Sequence, residues 1–502
     1  MEQGDEENFF EKIDHLSEDD GIKSVEESIK YNKIHTNETD DFTENSRTII
    51  QIIKNYNYTG GFHASNSNIN NTGSIIAGDQ SNYSGQKTQA DKDKSFDSSI
   101  ESIFDSCKSR RSFIISLSVF NGCNYRLVDE ASQYLQNIIR LQSRKEAEIE
   151  NTSNLDEEIE EKKRSQWLKD ISAHLENDCE VTECGKSPVK KVAFDDQETP
   201  ETVLHHIWHE RDVYAKAMLQ WLFELGKHEN SQIRLRAAAT AGRLARYEFQ
   251  PVRDQILLPW AKSESQSIQK LVGFALAVVL YDENEDVAQL SLNSIHYWSS
   301  LKNSVKLNQT AIFAYCSCLG QHFPEQALED LRNIANSGNG ILFKDIAYAV
   351  KWLFKQSSSS VLVLQSLNQW GRQEKKSSLH RLSLLIFSDL MRISWSIKDG
   401  SQHPSLLILA EEKAKTEELI VRLLQRVFDS EPIRRLALTE IFKWLKHIDM
   451  HGKFWKTLAR ILYDVSRIPR NRNCICAYLE KWSDESETSL KILTEIKNGF
   501  RS

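Results

Sequence analysis

Apolar residues recur at three- and four-residue spacing through almost all of residues 203–500, and seldom before residue 100. That spacing predicts amphipathic helices, each with one buried face. The clearest instance is SQIRLRAAATAGRLARYEF, where Ile233, Ala237, Ala238, Ala241 and Leu244 share a face. Small side chains there predict close approach by the next helix. Pro251 predicts the first turn of a partner helix that runs to ILLPWAKS. Two more pairs follow: SIQKLVGFALAVVLYDE with EDVAQLSLNSIHYWSSL, and ILFKDIAYAVKWLFKQ with SSVLVLQSLNQWGRQ. Trp260, Trp298 and Trp370 each close a second helix. Trp221, Trp260, Trp298, Trp370, Trp444 and Trp482 are separated by 39, 38, 72, 74 and 38 residues. A unit of ~38 residues lies in the range of two-helix solenoid repeats. The pattern predicts a mainly α fold in which 203–502 is an α-solenoid of helical pairs. Each repeat of a solenoid buries its apolar face only against its neighbours. Trp221, Trp260, Trp298 and Trp370 are therefore expected in the core between repeats. Trp444 ends PIRRLALTEIFKWLKH, which reads as a first helix and falls out of phase.

Upstream the pattern changes. In 101–202, Ser112–Phe120 and Val128–Leu141 read as apolar and amphipathic helices, and Trp167–Leu175 as a third. The charged run 143–164 between them predicts a solvated helix or an insertion. Cys179–Thr182 and Lys190–Phe194 have strand character around the turn ECGKSP. Helices followed by a β-hairpin predict a small winged-helix-like α+β domain with the hairpin as its wing. Residues 46–100 are rich in Asn, Gly and Ser. Segment 46–86 reads either as a disordered linker or as a short β element for self-association or partner association. Residues 1–45 read as an acidic flexible tail.

Charge refines this picture. The formal net charge is −9, but residues 1–45 hold 15 Asp and Glu against 4 Lys, a net of −11. The remaining chain is then about +2 (−9 minus −11), so no global field directs it to nucleic acid or an anionic membrane. No apolar run reaches ~18 residues, which predicts no transmembrane helix. The acidic first 30 residues lack a signal-peptide core. Eight sparse cysteines predict reduced thiols, and the expected location is the cytoplasm.

Candidate chemistry is thin. His205, His206, His209 and Glu210 form the densest ligand-type cluster, yet HHIWHE misplaces the glutamate of the HExxH metalloprotease motif. One helix offers two ligands where zinc needs more. Gly185-Lys186-Ser187 resembles the end of a P-loop, but Glu180 stands where its first glycine belongs and Pro188 follows. It reads as a wing turn. No GxSxG elbow occurs. The sequence thus predicts no catalytic residue, no bound metal and no cofactor. Basic positions Arg234, Arg246, Arg253, Arg434 and Arg435 are the candidate interaction surface. The second helix of the winged unit, VDEASQYLQNIIRL, begins acidic, which disfavours it as a groove reader.

The segment Ile233-Arg234-x-x-Ala237-Ala238-x-x-Ala241-Gly242-x-Leu244 resembles the first helix and following turn of HEAT repeats, and Ile433-Arg434-x-x-Ala437 is a weaker second match. A broader resemblance over 110–300 runs through SFIISLSVFNGCNYRLVDEAS, VKKVAFDD, VLHHIWHERD, AMLQWLFEL and the alanine-rich repeat. It is similar to the winged-helix and helical-repeat half of large bacterial STAND/NACHT-like conflict-system NTPases, whose repeats serve as sensor or scaffold. Their NTPase module has no counterpart here. The resemblance implies a protein-binding sensor, scaffold or adaptor in bacterial anti-phage defence or signalling, without nucleotide hydrolysis. The alternative is a nucleic-acid-binding HEAT-repeat and winged-helix protein.

Overall fold

The computed structural model describes residues 101, 104, 110–150, 163–182, 185–280, 285–337, 340–356, 358–373, 377–397 and 400–499. The expected acidic tail and the 46–86 association segment lie outside the described residues. The fold is mainly α-helical with a small antiparallel sheet. Two compact units divide it, Glu44–Ser291 and Leu292–Ser502.

In the first unit the elements run α1 (Arg111–Val119), β1 (Cys123–Asn124), α2 (Tyr125–Glu150), α3 (Arg164–Asp170), β2 (Ala173–Thr182) and β3 (Gly185–Phe194). The sheet order is β1-β3-β2, all antiparallel. Every residue from Phe113 to Val119 is buried, because α1 packs against both α2 and a helix beyond the sheet. Helix α2 is longer than the apolar pattern predicts. Its Glu, Lys and Arg run favours helix intrinsically, so it continues to Glu150. The helix expected to reach Leu175 instead stops at Asp170. Ser172 adopts a left-handed φ of 51°, and Ala173 then pairs with Phe194. The hairpin base is anchored by buried Ala173, Val192 and Phe194, while its distal part is largely exposed. Thr182 pairs with Gly185, so Gly185-Lys186-Ser187 opens strand β3, with Gly185 at φ 115°. Helix, strand, two helices and a hairpin joined to the first strand is the order expected of a winged helix.

The same unit continues with α4 (Thr199–Glu210), α5 (Asp212–Leu225), α6 (Ser231–Tyr247), α7 (249–261) and α8 (Gln266–Val279). Asn230 caps α6, its side chain accepting from the Gln232 N–H at 2.8 Å. Helix α7 widens into a π turn over Arg253–Leu257. Pro259 follows; it donates no N–H and would crowd the carbonyl one turn back, which a wider turn relieves. The closest neighbour of α6 is α8, the first helix of the following pair. Gly242 makes this approach possible: a Cβ there would collide with the Ala275 carbonyl oxygen.

Beyond α8 the helices are α9 (Glu285–Ser300), α10 (Val305–Tyr315), α11 (Cys318–His322), α12 (Pro324–Asn336), α13 (Phe343–Lys355), α14 (Ser360–Trp370), α15 (Ser378–Leu390), α16 (Ser405–Glu412), α17 (Ala414–Asp429) and α18 (Glu431–His451). In the second unit α10, α13, α15 and α18 touch successively. A second row runs α12 (Pro324–Asn336), α14 (Ser360–Trp370), α17 (Ala414–Asp429), α19 (Trp455–Val465) and α21 (Glu487–Asn498), again each on the next. Helix α20 (Pro469–Trp482) packs on α21. The sequence predicts helix almost throughout, yet a short hairpin, β4 (Ser394–Ser396) and β5 (Gln402–Pro404), interrupts the row. Gly400 turns it at φ 80°, and Trp395 stacks on Phe354 at 5.5 Å.

Candidate functional site

The four nominated tryptophans are fully buried: Trp221 and Trp260 at 0% exposure, Trp298 and Trp370 at 1%. Their surroundings differ. The Trp221 Nε1–H donates to the Ala131 carbonyl at 3.1 Å, and its ring meets Phe120 edge-on at 6.0 Å. Trp221 therefore fastens α5 to the winged-helix elements. The Trp260 Nε1–H donates to the Phe223 carbonyl at 3.1 Å, and its ring fills the space beside Gly226. Trp444, in α18, donates to the Met391 carbonyl at 3.0 Å.

The nominated arginines all have local partners. Arg234 donates to the carbonyls of His228 and Glu229, both at 2.7 Å. Arg434 reaches back equally far, to the Phe428 carbonyl at 3.2 Å. Each ties the start of its helix to chain just before it. Arg435 pairs with Glu431 at 3.2 Å, and Arg253 with Asp254 at 3.2 Å. Arg246 lies near Glu201 and helps hold that carboxyl ionised.

The histidine motif of α4 is split by the fold. His206 turns inward, 5% exposed, with its ring 5.9 Å from Phe104 and the Arg211 Nε–H at 3.4 Å. His205 and His209 face outward, ring to ring at 4.4 Å, each 5.5 Å from the Tyr247 ring. The Tyr247 hydroxyl donates to Glu201 at 2.5 Å, and the buried Arg243 also binds Glu201. Burial works against the Glu201 carboxylate, but Arg243 and the Tyr247 hydroxyl outweigh it and lower its pKa. Burial and the neighbouring Glu201 push the Tyr247 phenol up.

Two polar clusters escape the sequence reading. Asp330, 0% exposed, accepts from the Tyr315 hydroxyl and from Gln326 at 3.0 Å, and contacts His296 Nδ1 at 2.8 Å. Burial and Asp330 raise the Tyr315 phenol. The other cluster joins His403 of β5 to His447 and His451 of α18. Its sequence trace is the i, i+4 pair His447 and His451; His403 lies 44 residues away and is brought in by the hairpin. Among the described residues, no three His, Cys, Asp or Glu side chains are placed to hold a metal ion.

The helix immediately before the β2–β3 hairpin is α3. Arg164 and Lys169 are exposed on α3. Arg164 stacks over Tyr125 at 4.2 Å and Arg110 over Trp167 at 4.8 Å. The wing itself is balanced in charge. Lys191 pairs with Asp178 at 2.5 Å, and His174 with Asp195 at 2.7 Å and Glu176 at 3.1 Å. Among the described residues, no helix is long and apolar enough to cross a membrane.

No protein-family model matches the chain, and no curated protein sequence does. Two solved structures of engineered proteins are similar to it. One is 15% identical, with a TM-score of 0.22, over 50% of this chain and 98% of that one. The other is 16% identical, with a TM-score of 0.18, over 61% and 96%.

Proposed function

We propose that the chain is a non-catalytic protein-interaction scaffold or sensor, in which a HEAT-like α-solenoid follows a winged-helix-like domain. The carrying observation is the packing of α6 on α8 through Gly242, first helix against first helix, in the segment that resembles a HEAT repeat. The successive rows in Leu292–Ser502 repeat that logic. A stack of this kind offers an extended surface rather than a single reaction centre. The resemblance to STAND/NACHT-like proteins supports a place in bacterial defence or signalling.

The second reading, nucleic-acid binding, is favoured by Arg164 and Lys169 on the helix before the wing. One titration separates the two. Labelled duplex is titrated with the full chain at low and at physiological salt, and anisotropy is recorded. The scaffold reading expects no saturable binding. Tight binding at low salt that weakens steeply with added salt, and is lost in Arg164→Ala/Lys169→Ala, establishes the second reading and removes the first.

A further inference from the structure

The near-neutral body of the chain hides a division of charge. Residues 292–502, the second unit, hold 30 Lys and Arg against 21 Asp and Glu, a net of +9. Residues 46–291 are then about −7 (+2 minus +9). The first 45 residues, at −11, are therefore opposed in sign by the second unit and not by the residues between.

Within that unit, cations gather about the turn from α19 into α20. From Val465 to Leu479 the chain holds Arg467, Arg470 and Arg472 and no carboxylate. All three arginines are exposed. Arg467 pairs with Asp464 at 2.9 Å, but the others are held differently. Arg472 donates to the Ile496 carbonyl at 3.3 Å, and Arg434 of α18 to the Phe428 carbonyl at 3.2 Å. A carbonyl fixes a guanidinium without cancelling its charge. Arg434 and Arg470 also converge on one thiol: burial raises the Cys474 pKa, while these two arginines lower it. Among the described residues, no carboxylate pairs with Arg434, Arg470 or Arg472. Nearby carboxylates are engaged by other cations, Glu431 by Arg435 and Glu480 by Lys497.

We propose that the acidic segment 1–45 docks on the second unit at Arg434, Arg470 and Arg472, and so covers surface that the chain would otherwise offer to an acidic partner. This goes beyond the scaffold reading and holds whichever ligand the solenoid binds. Attachment favours this occupant over a foreign one. The 55 residues from 46 to 100 span up to ~180 Å when extended, so reach sets no limit. A segment on the same chain also meets the site at a fixed effective concentration, whatever the protein concentration. Contacts of this kind fade with salt, because the screening length is only ~10 Å at 0.1 M and shorter above it.

Chymotrypsin cleavage of the full chain after Phe10 and Tyr31, normalised to a synthetic peptide of residues 1–45, reads the docking. At about 0.02 M salt, cleavage in the full chain is expected about tenfold slower than in the peptide; at about 0.5 M it should come within about twofold. Arg470→Glu/Arg472→Glu should abolish the low-salt protection. Lys413→Glu/Lys415→Glu, exposed on another turn and equal in charge change, should keep it. Arg470→Glu alone, at an exposed position, should lose at least half of the protection and carries the test if the first double variant does not fold. Equal cleavage of chain and peptide at low salt overturns the proposal. So does protection that both double variants lose alike, which total charge would explain, or that both keep alike, which places the tail elsewhere. Protection that rises with protein concentration overturns it too, because the tail would then belong to a second copy.

Discussion

Helices α6 and α18, one in each compact unit, begin alike and pack differently. Both open with Ile-Arg, and in both the arginine donates to a carbonyl six residues back, at 2.7 Å for Arg234 and 3.2 Å for Arg434. Eight residues after the arginine they diverge. In α6 that position is Gly242, against the Ala275 carbonyl. In α18 it is Phe442, whose ring lies 5.2 Å from that of Trp482. The first seam brings backbones together; the second is filled by aromatic rings. The shared motif governs how the helix starts, whereas the bulk of one later residue sets how near its neighbour comes.

Four perturbations test that contrast, from the largest effect to the smallest. Trp260→Ala should cost about 3–5 kcal/mol, because a wholly buried indole leaves a cavity that the glycine beside it cannot fill. Calorimetry of the full chain should show the loss in one transition only, if the two units unfold separately. Gly242→Ala should cost about 2 kcal/mol by overpacking, although the same change usually favours an exposed helix. A stabilised Gly242→Ala would mean that the α6 seam is not limited by backbone contact. Phe442→Ala, at a half-buried position, should cost about 2 kcal/mol from lost packing, with urea midpoints as the measure. Arg234→Ala and Arg434→Ala should each cost about 1 kcal/mol. Unequal losses would break the claim that the two helix starts are equivalent.

A fifth test concerns polar burial in the second unit. Tyr315→Phe removes a hydroxyl from the buried Asp330 and should destabilise by about 1–3 kcal/mol. A change below about 0.5 kcal/mol in thermal unfolding would show that Gln326 and His296 satisfy that carboxyl alone.

The helical architecture was largely legible because periodicity reports a buried face directly. Ile233, Ala237, Ala238, Ala241 and Leu244 all prove buried, as do the ladder tryptophans. Periodicity cannot say which helix covers that face. The alanine seam of α6 is filled by α8, a choice made by Gly242 rather than by the residues of α7. It also fails where pairing overrides local preference. Ala173–Leu175 continues an apolar pattern, yet becomes strand because Val192 and Phe194 lie opposite. The polar clusters were least legible. Tyr315 and Asp330 are 15 residues apart, and His403 and His447 are 44 apart, so only the tertiary fold makes each pair a unit.

The backward reach of Arg234 and Arg434 bears on where this chain can be cut. In both cases the guanidinium of one helix satisfies the last carbonyls of the segment before it. A fragment beginning at Ser231 or Glu431 would keep its donor and lose the acceptor; a fragment ending just upstream would expose the acceptor. Boundaries drawn at these two helix starts are therefore poor places for truncation, and protease nicking there should release pieces less stable than the apolar seams alone would give. The modules are joined like links, each closed by a side chain that belongs to the next.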